Sequence, residues 1–261
     1  MDFATSFTVD PLGTDRALWR DLLAHFGPSA AVEIAVFTAW QANGLRAIHS
    51  WDAERLFEAS DVPLAYSDGP SLFVPGTGPP ARGTMRHLRP EDVVRYPDPN
   101  AALAPQDLVA LRDAWHAQGS PPGTWLDFLA PAPHVLWGWA EFHRLALLEG
   151  LLPVRAKALA SALLAVRLGY EAWVARPGRG SAREPVTERD LDWLRSGDLD
   201  RFDTRTAAAL RYVDCLETDY LSIDSEFMRQ LGRSLSPGHI VELGMFAGLQ
   251  MGSIRLARLV L

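Results

Sequence analysis

"APHVLWGWAEFHRLALLEGLLPVRAKALASALLAVRLGYEAW", residues 132–173, decides the fold. Its apolar residues recur at three- and four-residue spacing rather than alternating, which is the period of helices. Gly150 closes one helix, and Pro153 stands where a helix opens, since its missing N–H is lost there without cost. The spacing predicts helices over 132–150 and 152–175, the second running through Tyr170 and Glu171.

The same pattern extends outward. "TDRALWRDLLAHFG" (14–27) carries Leu18, Leu22, Leu23 and Phe26 on one face, with Thr14 or Asp15 as N-cap. After Gly27-Pro28, "PSAAVEIAVFTAWQANGLRAIHSWDAERLFEA" (28–59), with Ser29 as N-cap candidate, is apolar almost all round and predicts a buried helix. Helices are also predicted over 104–119, 124–131, 186–197, 203–220, 223–232 and 236–261. Thr187 and Asp190 are spaced as a capping box. Between them, residues 61–105 hold a run of prolines and glycines that precludes long helices and reads as a connection or cover. The expected organisation is an N-terminal helical segment (1–60), this Pro/Gly-rich insertion (61–105) and a helical domain (106–261), together an all-α bundle with short connections.

The second and last long helices repeat without a gap at an offset of 209. Pro28, Val32, Glu33, Phe37, Gln41 and Arg46 match Pro237, Val241, Glu242, Phe246, Gln250 and Arg255. Either two alanine-rich helices coincide by chance, or a duplication has placed them in quasi-equivalent positions. Duplication would make the repeated glutamates and glutamines structural.

Composition narrows the function. A net charge of −7 without any basic run interleaved with aromatics argues against nucleic-acid binding. No uninterrupted apolar run reaches the length of a membrane span, and the acidic start "MDFATSFTVDPLG" does not read as a secretory signal, so a cytoplasmic setting is expected. Cys215 is the single cysteine, which removes any internal disulfide or CxxC chemistry. No histidine or carboxylate spacing suits a metal, and "GTGPPARG" (76–83) lacks the Lys-Ser/Thr of a phosphate loop. No metal and no cofactor is expected.

The ordered set formed by residues 132–173, "VTERDLDWLRSG", "LRYVD" and "SPGHIVEL" resembles the carboxymuconolactone decarboxylase and AhpD-like (alkylhydroperoxidase-like) superfamily over about residues 106–261. The resemblance implies an all-α fold and a homo-oligomer (dimer, trimer or hexamer). It also implies a departure from the family's redox chemistry. Where the peroxidase branch carries a glutamate, two cysteines and a histidine, this chain has Ala156, Leu168, Glu171 and Ala175. A thiol peroxidase needs an activated thiolate and a second thiol to resolve it, and neither is present.

Two functions are therefore expected in competition. One is a non-redox enzyme acting by proton transfer on a small, largely apolar carbonyl or carboxylic compound, of decarboxylase, isomerase or cyclase type. In it Glu171 is the acid/base, Tyr170 and His143 polarise a carbonyl, and Arg155 orients a carboxylate. Trp139, Trp173 and His134 complete the pocket. The other is a non-catalytic ligand-binding or scaffolding oligomer of the same fold. Each residue also has a structural alternative: an arginine contact for Glu171, core packing for Tyr170 and the Trp/His set, an acidic partner for Arg155. Lys157, the only lysine, would serve as a Schiff-base nucleophile only if buried, and exposure is expected.

Overall fold

The computed structural model describes residues 3–51 and 123–261, apart from 12, 149 and 175–185. The insertion expected at 61–105 and the helix expected at 104–119 lie outside the described residues. Nine α-helices follow in chain order among those described: α1 Phe3–Val9, α2 Arg16–Ser50, α3 Gly123–Leu129, α4 Pro133–Leu148, α5 Val154–Arg167, α6 Glu188–Ser196, α7 Thr204–Thr218, α8 Ser225–Gly232 and α9 Pro237–Val260. The all-α expectation holds; no strand occurs among the described residues.

Local chemistry accounts for the helix boundaries. Asp15 caps α2 by accepting from the Ala17 N–H at 2.8 Å. Gly27 (φ 74°, ψ 170°) breaks the helical path before Pro28, so α2 is two legs joined at a kink. Thr187 and Asp190 form the reciprocal capping box of α6.

One boundary differs from the sequence expectation. α5 stops at Arg167 and does not carry Tyr170 and Glu171. Gly169 takes φ 64°, its N–H bonds the Val166 carbonyl at 3.1 Å, and the Tyr170 N–H bonds the Ala165 carbonyl at 2.8 Å. This Schellman arrangement satisfies the last carbonyls and turns the chain. Glu171–Trp173 then form a separate short 3-10 turn.

α2 and α9, the repeated helices, pack antiparallel on each other. A Cβ added to Gly252 would fall 2.7 Å from the Ala39 carbonyl oxygen, and one added to Gly248 would fall 3.1 Å from the Gly44 Cα. Only glycine permits so close an approach of backbones. The contacts obey the repeat: adding 209 to Ala39 and Asn43 gives Gly248 and Gly252, so the pairs 39/252 and 43/248 exchange with one another. The two helices are thus related by a near two-fold axis passing close to residues 41 and 250. The repeated arginines follow. Arg46 donates to the Glu217 carbonyl at 3.1 Å, and Arg255 donates to both Glu217 carboxylate oxygens at 2.7 and 2.6 Å.

α4, α5 and α7 lie against α9, and a single apolar core runs from Ala35 and Ala39 of α2 through Trp139, Leu163 and Tyr212 to Ile254. Residues on both sides of the insertion therefore share one core. α2 also contains an 18-residue window of mean hydropathy 1.4, so by length and composition alone it could cross a membrane, contrary to the run-length expectation. The window passes because its polar residues are spaced singly. The helix is not buried all round as the sequence led one to expect: Ala35, Ala39 and Asn43 are buried, but Phe37, Leu45 and Ile48 are exposed.

Candidate functional site

Two arrangements concentrate the chemistry, and both are built on α5. The first is a closed cluster around Gln250. Gln250 projects from α9 into the core, and its carbonyl oxygen accepts from the Trp173 indole N–H at 2.9 Å and the Ser161 hydroxyl at 3.1 Å. An indole nitrogen can only donate, which fixes the amide orientation. The Gln250 amide NH2 then donates to His143 Nδ1 at 3.1 Å, placing the imidazole proton on Nε2. Trp139 stacks on His143 with ring centroids 4.7 Å apart and donates to Ser253 Oγ at 3.2 Å. Trp125 closes the group edge-on against Trp139 and Trp173.

Three of the residues expected to line a pocket, Trp139, His143 and Trp173, therefore do meet, and they fill the space themselves. His143 is 3% exposed, and burial pushes its pKa down to about 3, so the ring stays neutral at physiological pH.

Glu171 and Tyr170 adjoin this cluster in sequence but stand in another environment. The Glu171 carboxylate is about a third exposed and takes a bidentate pair from Arg195 of α6, at 3.0 and 2.7 Å. That is the arginine contact, not an apolar pocket. Tyr170 is half-buried against the core, and burial pushes its hydroxyl pKa up. His134 sits about 13 Å along α4 from His143, nine residues at the helical rise. Its Nε2 lies 3.5 Å from Glu33 of α2.

The second arrangement is open. A cavity of about 220 Å³ lies between the starts of α5 and α7. Leu152, Leu159, Phe202 and Ala209 supply apolar wall, and two cations, Arg155 and Arg205, and one anion, Asp203, supply charge. Arg155 is oriented by Asp190, whose two oxygens each accept from Nη2 at 2.9 Å. Burial alone would raise the Asp190 carboxyl; hydrogen bonds from Thr187 and the Arg155 pair outweigh it and hold the group ionised, below the usual carboxylate range. Arg205 reaches His239 at 2.6 Å, and burial together with the arginine charge keeps that imidazole's pKa low. The Thr206 side chain, with the Thr206 and Arg205 N–H groups that Asp203 accepts from as the cap of α7, outweighs burial and holds the Asp203 pKa low.

The sequence expectation put Arg155 in one pocket with Glu171, Tyr170 and His143; the structure separates it from them and sets it beside Arg205, which the sequence did not single out because the cavity joins two helix starts fifty residues apart. It also misjudged Lys157. The side chain is fully buried and donates to Glu242 Oε1 at 2.8 Å. Glu242 also accepts from the Leu151 and Leu152 N–H groups, so the pair pins the turn before α5 to α9. The available signal was position: Lys157 falls three before Ala160 and seven before Leu164, on the inner face of α5. Cys215 is half-buried, its sulfur 3.4 Å from the Asp219 carbonyl and from Ser222 Oγ. Among the described residues no group of three or more His, Cys, Asp or Glu is placed to hold a metal ion. Neither a protein-family model, nor a curated protein, nor a solved structure matches the chain.

Proposed function

We propose that the protein binds a small, largely apolar carboxylic compound in the cavity between α5 and α7. The observation that carries this is the pairing of an apolar wall with two arginines in one cavity, whose single lining carboxylate, Asp203, is committed to capping α7. Arg155 is held by Asp190 and about a third exposed, so part of its guanidinium edge can reach a carboxylate, for which its planar fork of donors is suited. Leu152, Leu159 and Phe202 then receive the ligand's hydrocarbon part.

The non-catalytic branch of the two expected functions fits this geometry better than the proton-transfer branch. The three groups chosen for proton transfer are divided among a partly exposed ion pair (Glu171), a half-buried position (Tyr170) and the buried cluster (His143), whereas a shuttle must lie within hydrogen-bond reach of one substrate. A carboxylate-binding protein on an AhpD-like scaffold, homo-oligomeric and cytoplasmic, is the resulting reading; the fold alone does not carry it.

The test is a thermal-shift and NMR titration with benzoate, hexanoate and their neutral amides. The acids are expected to raise the melting temperature and shift α5 and α7 resonances, and the amides to do neither. Arg155→Ala should weaken the acids about tenfold, the worth of one charge-assisted hydrogen bond. Equal binding of acids and amides, or binding untouched by the substitution, would sink the assignment. Steady proton-transfer turnover of such a compound would return the enzyme reading.

A further inference from the structure

The two arginines of the cavity are not equivalent. Arg155 faces Asp190, so its charge is answered by a carboxylate at 2.9 Å. Arg205 forms no ion pair with a carboxylate among the described residues; its Nη2 meets His239 Nε2 at 2.6 Å instead. Asp203, two residues before it, turns its carboxylate to the N–H groups of the α7 cap. Arg155, Arg205, Asp190 and Asp203 together are formally neutral. The cavity therefore takes one added negative charge, at the guanidinium that no carboxylate answers, and repels a second.

The contact with His239 fixes that imidazole's proton. A guanidinium only donates, so Nε2 presents its lone pair to Arg205. The ring proton is then on Nδ1, 2.6 Å from the Ser236 hydroxyl oxygen, which accepts it. As a neutral acceptor His239 aims Arg205 without cancelling its charge, which a carboxylate in the same place would do. The groups facing the ring are Arg205 from α7, Glu242 three residues on in α9 with its partner Lys157 of α5, and the Leu151 backbone. Burial and the Arg205 charge push the imidazole's pKa down, against Glu242 and the Leu151 hydrogen bond.

We propose that Arg205 receives the anionic group of a singly charged, largely apolar ligand, with neutral His239 as its positioning residue. The inference rests on the binding of carboxylic compounds in this cavity and divides the work within it. Arg155 offers a hydrogen-bonding edge, and Arg205 offers the unanswered charge. A linked consequence follows. An anion on Arg205 offsets the positive charge that disfavours imidazolium, so binding favours protonation of His239; by reciprocity, protonated His239 favours the anion. Protonation also removes the lone pair that holds Arg205 and releases Nη2 for the ligand. Anion affinity therefore rises as pH falls through the His239 titration, and the gain is lost again as pH rises through it.

The test titrates the full chain by calorimetry with hexanoate, adipate and benzenesulfonate, the last of which stays ionised throughout. Arg205→Gln should weaken hexanoate about ten- to a hundredfold, and more than Arg155→Ala does. Adipate should bind at least about tenfold more weakly than hexanoate, because its second carboxylate meets the apolar wall. As pH falls from about 8 through the His239 titration, followed by imidazole NMR, benzenesulfonate should bind about three- to tenfold tighter. His239→Ala should lose that gain and weaken binding at the higher pH; His239→Gln, which restores a neutral acceptor, should recover part of the affinity but none of the gain. Hexanoate affinity untouched by Arg205→Gln, with the His239 titration unmoved by ligand while Arg155→Ala still weakens binding, overturns the inference and leaves the cavity assignment standing. Adipate binding as tightly as hexanoate does the same. Equal binding of hexanoate and hexanamide overturns the cavity assignment and this inference with it.

Discussion

α5 serves two regions that look alike in composition and differ in what they can do. Near Ser161 it joins a cluster holding a histidine, a glutamine and three tryptophans; around Arg155 and Leu159 it lines a cavity with two arginines and apolar wall. The cluster has the richer inventory of catalytic residue types. Yet most of its groups are spent on each other: Gln250 alone joins Trp173, Ser161 and His143, while the buried Trp125 indole N–H has no hydrogen-bond partner among the described residues. The cavity has the plainer inventory, but its charges border empty space. Aromatic company and a histidine do not make a site; a void bordered by accessible charge does.

If that contrast is right, perturbing the cluster should damage stability and leave carboxylate binding intact, while perturbing the cavity should do the reverse. The largest effect is expected from Trp139→Ala. The indole is fully buried and stacks on His143, so its loss should cost about 3–5 kcal/mol in denaturant unfolding. Benzoate affinity of the remaining folded protein should be unchanged. A well-folded variant that had lost binding would show that the cluster belongs to the site.

Gln250→Leu comes next. Leucine fills much of the same volume but removes the acceptor of the buried Trp173 N–H and the hydrogen bonds to His143 Nδ1 and the half-buried Ser161 hydroxyl. An unsatisfied buried group costs about 1–3 kcal/mol, so a loss in or above that range is expected. A near-neutral result would mean that the three partners find water, and that the cluster is wetter than its burial indicates.

His143 gives a pH signature of the same closure. Its folded pKa, about 3, lies below the unfolded value near 6.5, so the unfolded chain binds a proton that the folded chain refuses. The stabilisation is complete above pH 6.5 and is lost as pH falls from there toward 3, at up to about 1.4 kcal/mol per pH unit. His143→Gln should flatten that part of the stability profile relative to wild type, at some cost in stability at neutral pH. An unchanged slope would place the titration elsewhere.

Much of the architecture could be read in advance because it is written locally. The capping box at Thr187, the cap at Asp15 and the break at Gly27-Pro28 depend on residues within four of each other. The repeat was legible too, although its consequence, a helix pair exchanging 39/252 with 43/248, needed coordinates. What escaped were facts set by distant partners. The burial of Lys157 depends on Glu242, and the second arginine of the cavity comes from α7. The end of α5 was a local signal overlooked: Leu168-Gly169 spells a helix stop, but the apolar Tyr-Glu-Trp beyond it continues the helical period and masks it.

The smallest effect is expected at the residue that looked most catalytic. Glu171 pairs with Arg195 at the surface, both side chains about a third exposed, and solvent screens such a pair heavily. Glu171→Gln keeps the shape and removes the charge, so stability should move less than in any variant above, and carboxylate affinity should not move at all. Salt discriminates further. If the pair is the whole of Glu171's role, raising ionic strength should erase even the small difference between variant and wild type, because screening removes in the wild type what the substitution removes in the variant. A difference that persisted in high salt, or a change in ligand affinity, would mean that the carboxylate acts on something besides Arg195. The 3-10 turn ending at Trp173 would then link the cluster to the surface, and the division between the two regions would have to be redrawn.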